Sequence, residues 1–126
     1  MTIKMTSIPV KNPIDAHQYY TEVLGFKSHT FMPEAQLAIV VSSEDPDGTT
    51  LLLEPLGSPT YQKLQTEAYE HGMPFIILGS DNVQATYEEL KAKGVKFKQE
   101  PKTTDWGTSA IFDDTCGNFI QIHQDA

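Results

Sequence analysis

The sequence predicts an α+β fold in which one short unit is present twice. Each copy reads as an apolar strand, a capped helix with its apolar side chains on one face, a glycine and a second strand. The first copy runs from Met5 to Phe31 and the second from Phe75 to Lys98. A duplicated unit of this kind typically pairs with its twin and leaves a cavity between the two. Aligning Gly25 with Gly94 places Ile14 on Val83, Ala16 on Ala85 and Phe26 on Val95.

The first module, which consists of the first copy and the strands around it, contains four predicted strands and one helix. Alternation of apolar and polar residues predicts a strand at residues 2–9. Asn12 is a good N-cap and Pro13 suits the first helical turn, so a helix is predicted from there to Gly25. Three strands follow, at residues 26–32, 37–42 and 50–55. The apolar stripe of the helix comprises Ala16, Tyr19, Tyr20, Val23 and Leu24.

The second module repeats this order after a connecting helix. Ser58 can cap the connector and Gly72 can end it, and its predicted inward stripe is Tyr61, Leu64, Ala68 and Tyr69. The second module then has a helix at residues 82–93, with Val83, Tyr87 and Leu90 facing inward. Its predicted strands are at residues 75–78, 95–99, 108–113 and 118–123. We expect a single domain of residues 1–126, with module 1 at about 1–56, the connector at about 58–71 and module 2 at about 72–126.

Composition argues against several classes of function. No apolar run approaches the roughly twenty residues that a membrane span needs. The formal net charge of −8 disfavours nucleic acid and anionic membranes as partners, because those contacts depend on clustered Lys and Arg. The single cysteine cannot form an internal disulfide, and residues 1–10 lack the continuous apolar stretch of a signal peptide. We therefore expect a cytoplasmic protein that binds neither nucleic acid nor membranes.

Two segments of the chain resemble a known superfamily. Residues 10–26 read VKNPIDAHQYYTEVLGF, which resembles the first helix region of the vicinal oxygen chelate superfamily of glyoxalases, bleomycin resistance proteins and dioxygenases. Residues 112–122 read FDDTCGNFIQI, which resembles that superfamily's final hairpin. The resemblance covers nearly the whole chain. It implies two βαβββ modules that form a partly closed, eight-stranded mixed sheet with the helices outside, a concave binding site and a homodimer.

The resemblance also locates the positions of the metal ligands. Metal-using members hold the ion with four residues, usually two His and two Glu, one near the middle of the first and last strand of each module. Those positions correspond to Met5, Glu54, Phe75 (or Pro74) and Gln121. Only Glu54 is a ligand that such metals use, so we expect no metal and no other cofactor. The alternative is a makeshift site of Glu54, Gln121 and His123, since His123 lies on the same strand face as Gln121.

Without the metal ligands, the predicted site is an organic pocket. Alternation places Glu54 on the strand face of Leu52, opposite Leu51 and Leu53, where a carboxylate could serve as a general base or a hydrogen-bond anchor. The alternative for Glu54 is an acid exposed to solvent or neutralised by a neighbouring Lys or Tyr. Trp106 lies in a predicted loop at 102–107 and could stack on a planar ligand or close the end of the sheet. The predicted ligand-binding residues are Met5, Glu54, Phe75, Trp106, Gln121 and His123.

Three functions compete at this point. The favoured one is a metal-free, homodimeric protein that binds a small amphipathic or aromatic molecule. The second is an enzyme, either a lyase or isomerase with Glu54 as catalytic base or a dioxygenase-like enzyme with unusual metal ligands. The third is a protein-interaction module whose cavity is vestigial. Residue types alone do not name the ligand, because specificity in such scaffolds depends on the loops and the shape of the cavity.

Overall fold

The chain forms two compact units, each with one mixed β-sheet. A computed structural model describes all residues from Met1 to Ala126. The first unit is Met1–Leu64 and the second is Gln65–Ala126. Their sheets have four and five strands, which confirms the predicted α+β class. The total of nine strands exceeds the expected eight by one strand in the second unit. None of the helices combines the length and the apolar composition that crossing a membrane requires.

In the first unit, the sheet has its first and last strands side by side. The strand order is β1-β4-β3-β2, and β1 runs parallel to β4 while the other neighbours are antiparallel. Parallel pairing of β1 and β4 requires the chain to cross over between them, and the helix after β1 begins that crossover. The strands are β1 (Met5–Val10), β2 (Lys27–Met32), β3 (Leu37–Val41) and β4 (Thr50–Pro55).

The first helix begins where the sequence predicts and then changes its geometry. Helix α1 spans Pro13–Gln18, and the side-chain oxygen of Asn12 accepts hydrogen bonds from the amides of Ile14 and Asp15. The next five residues, Tyr19–Val23, form a π-helical turn, which was not predicted. The turn widens where two bulky tyrosines follow each other, and their rings meet edge to face at 6.1 Å. Tyr20 is fully buried, as its predicted packing role requires.

Burial alternates along residues 51–54 of β4. Ile8, Leu51 and Leu53 are buried on the side that carries α1. Leu52 and Glu54 lie on the opposite side, which we call the open face of the first unit, and both are half-buried. The predicted alternation around Glu54 is therefore confirmed.

The connecting helix α2 spans Pro59–Glu70, and its predicted inward stripe is wrong at Leu64. Ser58 caps it as expected, because its hydroxyl oxygen accepts a hydrogen bond from the Thr60 amide. However, Leu64 is 49% exposed, whereas Gln65 is buried. The Gln65 amide donates to the Cys116 carbonyl and to the Asn118 side-chain oxygen, so a polar residue occupies the inward position. A pattern search for apolar residues has no means of finding it.

The second unit repeats the topology of the first and adds one strand. Its strand order is β5-β9-β8-β6, and a further strand, β7, also pairs with β8. Helix α3 (Val83–Ala92) is capped by Asn82 and buries Val83, Tyr87 and Leu90, which confirms the predicted cap and inward stripe. The strands are β5 (Pro74–Gly79), β6 (Lys96–Phe97), β7 (Lys102–Thr104), β8 (Gly107–Asp113) and β9 (Phe119–Asp125).

Candidate functional site

The structure places Met5 and Glu54 on the open face of the first unit but not next to each other. Met5 is opposite Thr50 at the start of β1, whereas Glu54 is opposite Pro9 near its end. Four residues of strand separate the two positions, which corresponds to about 13 Å along the sheet. Met5 is 46% exposed and Glu54 is half-buried. These two side chains therefore cannot coordinate the same ion.

The structure does bring Gln121 and His123 together on the second sheet. They alternate along β9 with Ile120 and Ile122, which are buried on the side of α3. Gln121 and His123 therefore share the opposite side, which we call the open face of the second unit. His123 is half-buried, and its Nε2 lies 3.3 Å from a carboxylate oxygen of Asp125.

Phe75 lies at an irregularity in the second sheet. Pro74 is opposite Phe119 and Ile76 is opposite Ile120, so Phe75 is an extra residue in a β-bulge of β5. Its side chain is half-buried. The bulge explains why the sequence left open whether Phe75 or Pro74 occupies the predicted site position.

Trp106 does not lie in the long loop that the sequence predicts. The first part of that segment forms β7, which is antiparallel to β8. Trp106 and Asp105 make the turn of this hairpin, and the Trp106 amide donates to the Thr104 hydroxyl. The indole is 84% exposed, so it closes no part of the sheet in this chain.

Comparison with known proteins identifies the family of this chain. The profile of the Glyoxalase/Bleomycin resistance protein/Dioxygenase superfamily matches residues 2–122. The chain belongs to this superfamily. An uncharacterized relative, the YurT protein of Bacillus subtilis, is 43% identical over 126 residues, which cover 98% of this chain and 99% of YurT.

Solved structures of the superfamily have the same fold over the whole chain. The structure of UcmS2 is similar with a TM-score of 0.84 and 28% identity, covering 99% of this chain and 98% of UcmS2. TnmS3, an antibiotic binding protein from Streptomyces sp. CB03234, is similar with a TM-score of 0.78 and 26% identity. That similarity covers 100% of this chain and 97% of TnmS3.

The residues at the positions that the resemblance implies for metal ligands do not fit a metal. Met5 offers a thioether, Phe75 a phenyl ring and Gln121 a neutral amide, whereas divalent metals of this kind prefer imidazole and carboxylate ligands. No group of three or more His, Cys, Asp or Glu side chains in the chain is arranged to hold a metal ion. We therefore assign no chemical step to a metal.

The strand registers reveal an equivalence that the sequence did not. Glu54 is opposite Pro9, three residues before the helix cap Asn12. His123 is opposite Gly79, which likewise lies three residues before the cap Asn82. In the duplicated superfamily fold, His123 is thus the counterpart of Glu54, and Gln121 is the counterpart of Leu52. The predicted ligand positions Glu54 and Gln121 are therefore not equivalent in the two units. The two copies carry an acid and a base at the same structural position.

An aromatic cluster that sequence reasoning missed covers one end of the second open face. The Tyr69 ring stacks on Phe119 with a centroid separation of 4.4 Å and an interplanar angle of 6°. The Tyr69 hydroxyl donates a 2.6 Å hydrogen bond to Asp113, and the Lys98 ammonium lies 4.8 Å from the Phe119 centroid. The hydrogen bond to the Asp113 carboxylate, together with partial burial, raises the pKa of Tyr69. This cluster fixes the end of α2 on β8 and β9.

We expect the Tyr69→Phe variant to lose a small, pH-dependent contribution to stability. The bond lies near the surface, so the loss at neutral pH should be about 0.5–1 kcal/mol. Because the folded-state pKa is raised above the unfolded value of 10.0, the contribution is complete below pH 10 and disappears as the pH rises through the raised value. Urea unfolding from pH 7 to 11 measures it, with Tyr61→Phe on the same helix as control. An equal difference between wild type and Tyr69→Phe at all pH values would contradict the assignment.

Proposed function

We propose that this protein binds a small amphipathic or aromatic molecule without a metal, as a homodimer in the cytoplasm. One combination carries the proposal: the chain keeps the superfamily fold throughout, and the resemblance places Met5, Phe75 and Gln121, none of them a typical metal ligand, at the positions where metal-using members hold the ion. A retained scaffold with replaced ligands is the pattern expected when binding continues and metal chemistry does not.

Similarity to a binding protein supports this proposal. TnmS3 is described as an antibiotic binding protein, and it resembles the present chain over its whole length at 26% identity. From this similarity we carry over only the class of function, which is recognition of a small organic molecule.

The ligand contacts that we propose are the residues predicted from the sequence. On the first unit they are Met5 and Glu54. On the second unit they are Phe75, Gln121, His123 and Trp106. Apolar and aromatic side chains supply most of the contact area in sites for small organic ligands, and a few polar groups set the orientation of the ligand. Met5, Phe75 and Trp106 would serve the first purpose, and Glu54, Gln121 and His123 the second.

A ligand screen by thermal shift tests the proposal. A compound present at one hundred times its Kd should stabilise the folded protein by about 2.7 kcal/mol and raise Tm by several degrees. For a compound that binds, Trp106→Ala should weaken binding roughly tenfold, because an aromatic stacking partner is removed. Ile14→Ala, a truncation of an exposed residue on α1, is the control and should leave binding unchanged.

Two results would contradict the proposal. The first is the absence of a shift with any compound in a library of aromatic and amphipathic molecules, including antibiotics. The second is stoichiometric zinc, nickel, manganese or iron in the purified protein, which would favour the lyase or dioxygenase-like alternative. Light scattering measures the proposed homodimer directly, because the mass of one chain is 14.0 kDa.

A further inference from the structure

A row of polar side chains crosses the open face of the second unit. Lys102 on β7 is directly opposite Ser109 on β8, and Ser109 is directly opposite His123 on β9. Directly opposed residues of antiparallel strands point to the same side, with their Cβ atoms about 4.5–5.5 Å apart. The next residue, Gln124, accepts a hydrogen bond from the Val83 amide at the start of α3. The row therefore faces away from the helix.

Three polar groups in and beside this row are not used within the chain. The Lys102 ammonium, the Ser109 hydroxyl and the Gln121 amide make no hydrogen bond or ion pair with protein groups. His123 has one charged neighbour, Asp125, at its Nε2. Ser109 and Gln121 are nevertheless half-buried, a setting in which polar groups normally find partners. These groups therefore have hydrogen-bonding capacity that the chain itself does not use.

The row ends at an open space. The residue opposite His123 on β5 is Gly79. A Cβ atom at this glycine would meet no other atom within 4 Å. The sheet therefore leaves room beside the His123 imidazole, where a side chain would otherwise project from β5.

Lys102 is the cation of this row in an acidic protein. The protein has a formal net charge of −8 with only nine Lys and Arg residues. The Lys102 side chain is exposed and makes no ion pair within the chain, and the Asp125 carboxylate is the acidic neighbour of the row, at His123. A cation in this position attracts anionic groups to the row.

We propose that Lys102, Ser109 and His123 form a subsite for the acidic group of an aromatic ligand, such as a carboxylate, a sulfonate or a phenolate. The proposal rests on the proposed function and specifies the class of ligand. The Lys102 ammonium supplies charge and the Ser109 hydroxyl donates a hydrogen bond. Asp125 lies at Nε2 of His123, so Nδ1 is the ring nitrogen left for the ligand, and it donates to an acidic group when the imidazole carries a proton on both nitrogens. Trp106 lies at the tip of the hairpin that carries Lys102 and Ser109.

Two fluorescent probes with one aromatic skeleton test this subsite. Anilinonaphthalene sulfonate carries an acidic group, and phenylnaphthylamine is the same skeleton without it. We expect the wild-type protein to bind the sulfonate more tightly. Lys102→Gln should raise the Kd of the sulfonate about fivefold and Ser109→Ala about threefold, while each changes the Kd of the neutral probe less than about twofold. Lys91→Gln on α3 makes the same charge change on the other side of the sheet, and it should affect neither probe.

The outcomes separate this inference from the proposed function. Equal binding of the two probes, or Lys102→Gln and Lys91→Gln variants that bind the sulfonate alike, would overturn the acidic subsite and leave small-molecule binding intact. Failure of both probes to bind at a saturable site on the folded wild-type protein would count against both. Circular dichroism checks that each variant is folded. The Lys102 side chain is exposed, so its replacement should not disturb the fold.

Discussion

Replacing Asp114 with alanine is expected to lower the free energy of unfolding by about 4 kcal/mol. The Asp114 carboxylate is fully buried in the turn between β8 and β9. One oxygen accepts hydrogen bonds from the Cys116 and Asn118 amides at 2.8 and 3.0 Å, and the other accepts from the Asn118 side chain at 3.0 Å. Alanine would remove the acceptor of these three buried hydrogen bonds, and a buried donor that loses its acceptor costs about 1–3 kcal/mol.

Urea unfolding at neutral pH measures this effect. Asp105→Ala removes the same charge from the same unit at an exposed turn position, and it should change the free energy of unfolding by less than about 0.5 kcal/mol. If the two variants were equally stable, the hydrogen bonds of the Asp114 carboxylate would not be what stabilises the turn. The Gln65 amide also bonds to this turn, so loss of Asp114 should increase amide exchange in the second half of α2 as well.

The Gly107→Ala variant should be destabilised to a similar degree, by about 3–5 kcal/mol. Gly107 begins β8 with a φ of +134°, a conformation that costs other residues about 1–3 kcal/mol. An added Cβ would also overlap the Gln124 carbonyl oxygen of β9, a backbone atom that cannot move without breaking the pairing of the strands. Overpacking of this kind typically costs a further 1–3 kcal/mol or so.

Gly79→Ala is the matched control for this substitution. Gly79 is also in a strand of the second unit, but its backbone is ordinary and a Cβ there meets no atom within 4 Å. Its stability should change by less than about 1 kcal/mol. Thermal unfolding measures the stability of both variants. A Gly107→Ala protein as stable as Gly79→Ala would contradict the prediction and show that β8 and β9 separate easily at this end.

Local signals in the sequence predicted most of the fold. The caps Asn12 and Asn82 are visible because the side-chain oxygen bonds to amides only two or three residues away. Strand β7 was missed because Lys102–Thr104 is short and polar, with no apolar alternation, and its strand geometry comes from pairing with β8. The buried Gln65 was missed for a related reason, since its partners are about fifty residues away in the chain.

The sequence predicted less of the candidate site than of the fold. It correctly placed Glu54 on the side of β4 opposite Leu53, and Gln121 on the same side of β9 as His123, because alternation is a local property. The distance between Met5 and Glu54 and the equivalence of Glu54 with His123 depend on strand register. Register is fixed by which residues of distant segments pair, and single-sequence patterns carry little of that information.

The division of the chain inside α2 constrains how genes of this kind can recombine. The second unit begins at Gln65, whose amide bridges Cys116 and Asn118. A gene fragment that started after the helix, at Gly72, would encode the hairpin of β8 and β9 without Gln65, which bonds to its turn. A hybrid of two related genes should therefore fold best when its crossover lies upstream of Gln65, so that the latter half of the helix is inherited with the hairpin it supports.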